Sequence, residues 1–308
     1  MTQVETAVAR SRLMLDVCPV CPAIWFDPSE YQSVHHQPPP PPIEEHMSPE
    51  VREKLAILKV QEMARRQEDA DPLASPDEAW QWLPGLLGLP VELDAPVVRR
   101  RPWLTWGLIA ACILATSSIW SGPSTGFDSV IWKWGFIPAQ WERLACLTWL
   151  TSFFLHGGIL HLLGNMYFLF VFGDNVEDRL GHGGYLLILL AAHVAGLITQ
   201  AVFTPRPEIP CVGASAGISG VIALYAILFP NVRLAFLFRY FLYFQWFRVR
   251  AVWALVLYML MQIVGSYFQL QGFGGVAYLA HAGGLVVGIC AGLTYRHGRG
   301  PSAGLADA

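Results

Sequence analysis

Charged side chains are scarce in this sequence of 308 residues. Asp, Glu, Lys and Arg make up 14% of it, whereas 54% of the residues are hydrophobic, and the mean hydropathy is +0.41. Such a composition excludes an ordinary soluble domain and indicates a membrane protein. The formal net charge is only −3, so the chain also lacks the strong positive field that would make nucleic acid an expected partner.

The N-terminus lacks the short basic segment, the apolar core and the small-residue cleavage site of a secretory signal, so we expect no cleaved signal peptide. The first hundred residues also lack long apolar runs and are rich in Pro, Glu, Asp and Gln. A Pro run at 38–42 is predicted to be an extended spacer. A short helix is predicted from Ser48 to Glu68, with Ser48 as its N-cap and Pro49 as its first helical residue.

The composition divides the chain into three predicted regions. Residues 1–100 are predicted to form a mostly irregular cytoplasmic region, residues 101–297 a membrane domain and residues 298–308 a flexible tail. The fold class expected for the whole chain is all-α and polytopic.

Cysteine supplies no disulfide framework, because the six residues are scattered along the chain. Cys18 and Cys21 resemble one half of a zinc ribbon, but structural zinc normally takes four ligands and no second Cys pair lies nearby. His35 and His36 are the candidates for the missing ligands, and a metal-free remnant or docking module is the alternative. The four later cysteines are predicted to pack as small apolar side chains: Cys112, Cys146, Cys211 and Cys290.

Six apolar runs after Arg101 are candidates for membrane-spanning helices, since a span needs about 20 mostly apolar residues. Their predicted positions are 103–120, 161–176, 185–203, 213–229, 252–268 and 276–295. The segment between the first two runs, 122–149, is rich in Trp and is predicted to lie at the membrane interface.

The positions of Lys and Arg predict the orientation in the membrane. With six spans, most basic residues fall on one side, which places both termini in the cytoplasm. The segment 231–250 carries four Arg among Phe and Tyr residues and is predicted to be a cytoplasmic interfacial loop rather than a seventh span. These basic flanks suit a bacterial inner membrane.

Several polar side chains lie inside the apolar runs, where they persist mainly if they face a bundle interior or a wet cavity. His161 and Asn165 are four residues apart and share a helix face. Ser215 and His281 each lie among small residues, which let helices approach closely. An imidazole that meets a Ser hydroxyl can remove its proton for acyl transfer. His161, Asn165 and the backbone N–H of Ser215 are candidate donors to the oxyanion.

Three motifs in this order resemble the signature of the rhomboid family: His161-x-x-x-Asn165, Gly213-Ala-Ser215 and Ala280-His281-x-Gly283-Gly284. The resemblance extends over residues 102–295. It implies a six-helix bundle whose Ser–His dyad, Ser215 and His281, opens to the extracytoplasmic side. It also implies cleavage of transmembrane protein substrates near the outer membrane boundary, without a metal or cofactor.

Two features depart from the family pattern. Ala216 follows Ser215 where the family usually has Gly, and the literal Gly-x-Ser-Gly string instead contains Ser219, which makes Ser219 a rival nucleophile. Ser215 is preferred because it stands at the family's nucleophile position when counted back from Phe229-Pro230, and because it lies nearer the start of its helix. Ser219 also replaces the aromatic residue that the family often places one turn after the nucleophile, against the base.

Two other functions fit parts of the sequence. One is a proteolytically inactive rhomboid-like protein that binds membrane clients, and the other is a small-solute transporter, for which the expected internal repeats are not found. His156 and His193 are interpreted as structural, and Glu177 and Arg179 as loop anchors at the cytoplasmic boundary. The expected partners are transmembrane substrates and the lipid bilayer, while the oligomeric state stays open.

Overall fold

The structure is a computed structural model of the chain, and it describes residues 2–8, 11–17, 24–25, 48–70, 78–120, 126–241 and 243–298. The chain divides into two compact units, Met1–Asp69 and Ala70–Ala308. The predicted start of the membrane domain, residue 101, lies within the second unit.

The first unit contains a small antiparallel sheet and a helix. Strands β1 (Thr2–Val8) and β2 (Ser11–Val17) pair along their whole length, and β3 (Ile24–Trp25) pairs with the far end of β2. The expectation of a mostly irregular N-terminal region is wrong for these segments. The last pair of this ladder joins Val8 and Ser11.

Helix α1 (Pro49–Ala70) confirms the helix expected after Ser48. The backbone N–H groups of Val51 and Arg52 both donate to the Ser48 carbonyl at 3.0 Å. Cys18, Cys21, His35, His36 and the Pro run lie outside the described residues, so the half zinc ribbon stays a prediction.

The second unit is mostly helical. Its elements before the bundle are a 3-10 turn at Ala79–Gln81, α2 (Trp82–Leu86) and β4 (Val91–Glu92). The elements that follow are α3 (Trp103–Trp120), α4 (Gly126–Trp134), α5 (Thr148–Phe154), α6 (Ile159–Phe203), α7 (Ser215–Leu228), β5 (Arg233–Tyr240), β6 (Tyr243–Arg250), α8 (Ala251–Leu270) and α9 (Tyr278–Gly298). Between α4 and α5 lie two 3-10 turns, Pro138–Gln140 and Arg143–Cys146.

Four helices of the described residues are long and apolar enough to cross a membrane by length and composition: α3, α6, α8 and α9. Helix α7 is apolar but shorter, with 14 residues. The 45-residue α6 would be about 68 Å long as one rod, whereas the hydrocarbon core of a bilayer is about 30 Å thick. It contains a non-helical residue, Gly181, with φ 73° and ψ 163°, between the two predicted spans 161–176 and 185–203. The chain is therefore a mostly helical membrane protein.

Glycines bring α6, α7 and α9 into close contact. A Cβ added to Gly284 of α9 would lie 1.9 Å from the carbonyl oxygen of Ala216 in α7, and one added to Gly288 would lie 2.0 Å from that of Gly220. On the other side, a Cβ at Gly220 would lie 2.4 Å from Cβ of Ala192 in α6. Such small residues allow neighbouring backbones in a membrane bundle to touch directly.

The segment 231–250 folds as a β-hairpin, which the prediction of a loop missed, so the chain is mostly helical rather than all-α. Strands β5 and β6 pair antiparallel from Arg233 opposite Arg250 to Tyr240 opposite Tyr243. Strand β4 pairs antiparallel with the base of β5, which gives the strand order β4-β5-β6. Aromatic and β-branched residues favour strands, and they outweigh the Arg content that suggested a loop.

Candidate active site

Ser215 and His281 form a direct hydrogen bond. The distance between Oγ of Ser215 and Nε2 of His281 is 2.8 Å. Ser215 is the first residue of α7, and His281 lies in the first turn of α9. The pair therefore lies at the starts of two helices. Both side chains are half-buried. The meeting of these two residues, expected from the sequence, is therefore present in the structure.

The residues beside the pair explain why it forms. A Cβ added to Gly196 of α6 would lie 2.6 Å from Cβ of Ala216 and 2.5 Å from the carbonyl oxygen of Ala280. Gly196 thus lies against the immediate neighbours of both Ser215 and His281. Ala216, the residue that departs from the family pattern, fills the space that this glycine leaves open.

Nδ1, the other ring nitrogen of His281, contacts Gln262, a residue that was not among the candidates from the sequence. Nδ1 of His281 lies 2.9 Å from Oε1 of Gln262, a buried residue of α8. An amide oxygen only accepts hydrogen bonds, so Nδ1 carries the proton. Nε2 is then free to accept the proton of the Ser215 hydroxyl. The signal was present in the sequence, because Gln262 is a polar residue within an apolar span.

The edge of an aromatic ring also packs on His281. The ring centroids of Tyr278 and His281 are 6.1 Å apart, with an interplanar angle of 77°. This aromatic comes from α9 itself, one turn before the histidine. It occupies the role that the family pattern gives to an aromatic at the position of Ser219.

Ser219, the rival nucleophile, is buried and bonded elsewhere. Its Oγ donates to the carbonyl oxygen of Ser215 at 2.8 Å and lies 2.9 Å from the hydroxyl of Tyr258 in α8. Its hydrogen bonds within the described part of the chain include no histidine. Ser215 therefore has an imidazole as its hydrogen-bond partner, whereas the partners of Ser219 are a carbonyl oxygen and a phenol.

His161 and Asn165 approach the chain just before Ser215. Nδ1 of His161 accepts a hydrogen bond from the N–H of Gly157 at 3.3 Å, so Nε2 carries the ring proton. A Cβ added to Gly213 would lie 2.8 Å from that Nε2 and 3.5 Å from Nδ2 of Asn165. Both donors therefore point at the segment that leads into α7.

Gly213 makes this close approach possible. Its φ is 117°, a conformation that favours glycine, and its N–H donates to the carbonyl oxygen of Ser152 at 2.8 Å. Asn165 Nδ2 is buried and has no hydrogen-bond partner among the described residues. An unpaired buried donor is costly, and Nδ2 is available to an acceptor that enters beside Gly213.

His156 and His193 are both buried, and one ring nitrogen of each has no hydrogen-bond partner among the described residues. His156, in the loop between α5 and α6, is fully buried, and burial lowers its pKa to about 4, so the ring is neutral at pH 7. Its Nδ1 lies 3.4 Å from Oγ1 of Thr116. Nε2 of His193 donates to the carbonyl oxygen of Trp149 at 3.0 Å, and its ring packs edge-on against Phe153.

Glu177 and Arg179 lie within helix α6 rather than in a loop. The buried carboxylate of Glu177 accepts hydrogen bonds from the N–H groups of Leu104 and Thr105 and from the Thr105 hydroxyl, at 2.9, 2.8 and 2.6 Å. It thereby accepts hydrogen bonds from N–H groups in the first turn of α3, which have no acceptor within the helix, and its negative charge is favoured at a helix N-terminus. The guanidinium carbon of Arg179 lies over the ring of Tyr295, 5.9 Å from its centroid, which is within reach of a cation–π contact.

The sequence of this region matches known proteins. A rhomboid domain model matches residues 140–298, just over half of the chain. Rhomboid protease GluP of Bacillus subtilis is 40% identical over 88 residues, which cover 29% of this chain and 16% of that protein. Rhomboid protease GlpG of Pectobacterium atrosepticum is 27% identical over 174 residues, 54% of each chain.

An inactive relative matches over a similar length. Inactive rhomboid protein 1 of Drosophila melanogaster is 39% identical over 93 residues, which cover 30% of this chain and 6% of that protein. The chain thus spans about half or less of the length of these three relatives. Because the domain model covers more than half of the chain and includes the segments that carry Ser215 and His281, the protein belongs to the rhomboid family.

Proposed function

We propose that this protein is an intramembrane serine endopeptidase that hydrolyses peptide bonds of transmembrane protein substrates. The observation that carries the proposal is the 2.8 Å hydrogen bond between Ser215 Oγ and His281 Nε2. A Ser hydroxyl is a poor nucleophile until a base removes its proton, and a neutral imidazole is a suitable base. Relatives named as rhomboid proteases support the same activity.

In the proposed reaction, Oγ of Ser215 attacks the carbonyl carbon of the scissile peptide bond while Nε2 of His281 takes the hydroxyl proton. His281 then gives this proton to the departing amine, which leaves an acyl-enzyme. Water attacks the ester in the second half of the reaction, again with His281 as the base. Gln262 is the positioning residue that keeps the proton of His281 on Nδ1.

The tetrahedral intermediates require donors for their negative oxygen. We assign this role to Nε2 of His161, Nδ2 of Asn165 and the N–H of Ser215. The N–H of Ser215 belongs to the first turn of α7 and has no intrahelical acceptor. The proximity of the first two groups to Gly213, two residues before the nucleophile, supports this assignment.

We also propose six spans with both termini in the cytoplasm of a bacterial cell, and with the membrane domain ending near residue 297. The break of α6 at Gly181 supports two spans within that helix. Under this topology Ser215, at the start of α7, faces the extracytoplasmic side. The β-hairpin, which follows the other end of α7, faces the cytoplasm.

The second candidate function is an inactive rhomboid-like protein that binds membrane clients. The similarity to an inactive rhomboid protein favours it. The hydrogen bond between Ser215 and His281 argues against it, because client binding alone does not require that pairing.

The test uses the full-length protein in detergent with a serine-reactive fluorophosphonate and with a model transmembrane substrate. Wild type is expected to be labelled and to cleave the substrate, whereas Ser215→Ala and His281→Ala lose both properties and remain folded, as a cooperative thermal transition would show. A wild-type protein that neither labels nor cleaves, yet still binds the substrate, would favour the client-binding function.

A further inference from the structure

Two buried glutamines of α8 contact α9 at different levels. Gln262 and Gln269 lie seven positions apart in α8, which is about two turns, so they share one face of the helix. Gln262 bonds the ring of His281. Gln269 bonds the backbone of α9 instead, because its Oε1 accepts a hydrogen bond from the N–H of Leu279 at 2.9 Å. The proposed reaction gives Gln262 a role and leaves Gln269 without one.

The N–H that Gln269 accepts belongs to the first turn of α9. Leu279 is the second residue of this helix and precedes His281 by two positions. An N–H in the first turn has no acceptor within its own helix. The next two N–H groups, those of Ala280 and His281, both donate to the carbonyl oxygen of Ala277, at 3.0 and 3.2 Å. Gln269 therefore caps α9 from a neighbouring helix, where a side chain just before the helix usually provides the acceptor.

The side chain of Gln269 is itself held in place. Its Nε2 donates to Oε1 of Gln200 at 3.0 Å, and both glutamines are buried. Gln200 lies near the end of α6, so one amide joins three helices. The backbone carbonyl oxygen of Gln269 also accepts a hydrogen bond from the N–H of Gly272 at 2.9 Å. The oxygen and the nitrogen of the Gln269 amide thus each have a protein partner.

The segment that connects α8 to α9 is poorly suited to holding the first turn of α9. Residues 271–276 are exposed and include Gly272, Gly274 and Gly275, at which an added Cβ meets nothing within 4 Å. Glycine has the greatest backbone freedom of all residues. Nη2 of Arg206 donates to the carbonyl oxygen of Gly274 at 2.8 Å, but this hydrogen bond is exposed. The hydrogen bonds of the Gln269 side chain are buried, where they are stronger.

We propose that Gln269 is a positioning residue that holds the first turn of α9 and thereby sets the place of His281 beside Ser215. This inference rests on the proposed function, because it assigns a second residue to the geometry of the same imidazole. Gln262 orients the ring of His281, and Gln269 fixes the backbone that carries it. Without the Gln269 contact the first turn of α9 frays, and Nε2 of His281 moves away from Oγ of Ser215.

The kinetic test uses variants of the full-length protein in detergent and a model transmembrane substrate. Gln269→Leu removes the acceptor and keeps a side chain of similar size, and we expect kcat to fall about tenfold with KM nearly unchanged, since a small misplacement of a catalytic group is costly. Gln269→Glu keeps an oxygen for the N–H of Leu279 and is expected to restore most of kcat. The matched control is Gln271→Leu, which replaces an exposed glutamine two positions further on and should keep the wild-type kcat.

A double-mutant cycle separates positioning from a general loss of stability. If both glutamines act through His281, Gln262→Leu combined with Gln269→Leu lowers kcat by less than the product of the two single effects, because a displaced ring gains little from the Gln262 contact. Unrelated structural effects would multiply. A wild-type kcat in Gln269→Leu, or multiplied effects in the cycle, would overturn the proposal.

Hydrogen–deuterium exchange reports on the first turn of α9 without a substrate. Peptides that cover residues 277–283 are expected to exchange several-fold faster in Gln269→Leu than in wild type or Gln271→Leu, because the N–H of Leu279 loses its acceptor. Equal exchange in these three proteins would refute the role of Gln269 and leave the proposed function untouched. A wild type that neither labels nor cleaves would instead refute the proposed function, so the two failures are distinct.

Discussion

Oε1 of Gln262 lies 2.9 Å from Nδ1 of His281, while the opposite ring nitrogen of the same histidine lies 2.8 Å from Ser215 Oγ. Three helices, α7, α8 and α9, therefore meet at one imidazole. In a Ser-His-Asp site the carboxylate both fixes the tautomer and stabilises the imidazolium. A neutral amide does the first without adding a charge, which suits a site surrounded by apolar helices.

The role of Gln262 is tested by Gln262→Leu, which removes the acceptor and keeps a side chain of similar size. We expect kcat to fall about fivefold with KM nearly unchanged, since one hydrogen bond of this kind contributes about 1 kcal/mol. Gln262→Glu keeps an acceptor at Oε1 and is expected to retain more activity than the Leu variant. Equal kcat for wild type and Gln262→Leu would show that the ring is oriented without this contact.

The hydrogen bond between Ser219 and Tyr258 is predicted to stabilise the folded protein and to have no role in catalysis. Ser219→Ala is expected to keep fluorophosphonate labelling and to lower the free energy of unfolding by about 1 kcal/mol, because the hydrogen bond to Tyr258 is lost. Tyr258→Phe removes the same bond from the other side. The double variant should therefore cost less than the sum of the two single changes.

The labelling of Ser219→Ala and Ser215→Ala decides which serine is the nucleophile. Loss of labelling in Ser219→Ala, with labelling retained in Ser215→Ala, would make Ser219 the nucleophile. The measurement is gel fluorescence after labelling, with the thermal midpoint of each variant recorded in parallel.

Gly284 is predicted to control the contact between the helices that carry Ser215 and His281. Gly284→Ala introduces a Cβ that would lie 1.9 Å from the carbonyl oxygen of Ala216, so α7 and α9 must separate. Overpacking of this kind costs about 1–3 kcal/mol. We expect a lower thermal midpoint and loss of Ser215 labelling.

The matched control for Gly284 is Gly107 of α3, where an added Cβ meets nothing within 4 Å. Gly107→Ala is expected to keep labelling and to hold or slightly raise the thermal midpoint, since Ala favours a helix over Gly. A Gly284→Ala protein with wild-type labelling and stability would mean that the helices do not touch at this point.

Asn165 is predicted to act only when the intermediate forms. Nδ2 of Asn165 has no partner in the described residues, so Asn165→Ala breaks no hydrogen bond of Nδ2 there and should leave the thermal midpoint close to wild type. Loss of one oxyanion donor lowers kcat by roughly 10²-fold to 10³-fold, and we expect this in substrate cleavage. A fall in stability with unchanged kcat would assign Asn165 a packing role instead.

The contact between Ser215 and His281 could be predicted from the sequence because polar residues stand out in apolar spans. Ser215 and His281 are each surrounded by small residues, and that pattern marks close helix contacts. Gln262 was missed although it also lies in an apolar span, because it belongs to no motif. Its partner, His281, is close only in the folded bundle.

The hairpin could not be recognised by the usual alternation of apolar and polar residues. Both of its faces are covered at the base, since Leu234 and Phe236 meet the helices, while Trp246, the neighbour of Leu237 on the other face, packs edge-on against Trp82 of α2. A strand covered on both sides reads as a continuous apolar run. The segment that covers the second face lies more than a hundred residues earlier in the chain, so the sequence around the hairpin does not reveal it.

Glu92 is predicted to make the stability of the protein depend on pH. Glu92 in β4 accepts a hydrogen bond from the hydroxyl of Tyr225 in α7. Burial, with smaller contributions from Asp174 and Asp94, raises the pKa of Glu92 from 4.5 to about 8 against the opposing effect of the Tyr225 hydrogen bond. The folded protein therefore holds a proton that the unfolded chain has released.

The sign of the effect follows from this difference in bound protons. Where the folded state binds more protons, the free energy of unfolding falls as the pH rises. The contribution of Glu92 is fully present below about pH 4.5 and is lost progressively up to about pH 8. Glu92→Gln removes the titrating group and keeps an oxygen that can accept from Tyr225, so its stability should vary less over this window.

The measurement compares thermal midpoints of wild type, Glu92→Gln and the control Glu208→Gln, in which an exposed carboxyl is replaced. Below the window we expect the three proteins to differ little. Above it, Glu92→Gln should be more stable than the other two, because wild type and the control must then hold a charged carboxylate in a half-buried position. Parallel midpoints for all three proteins across the window would mean that the Glu92 carboxylate is solvated in the folded protein.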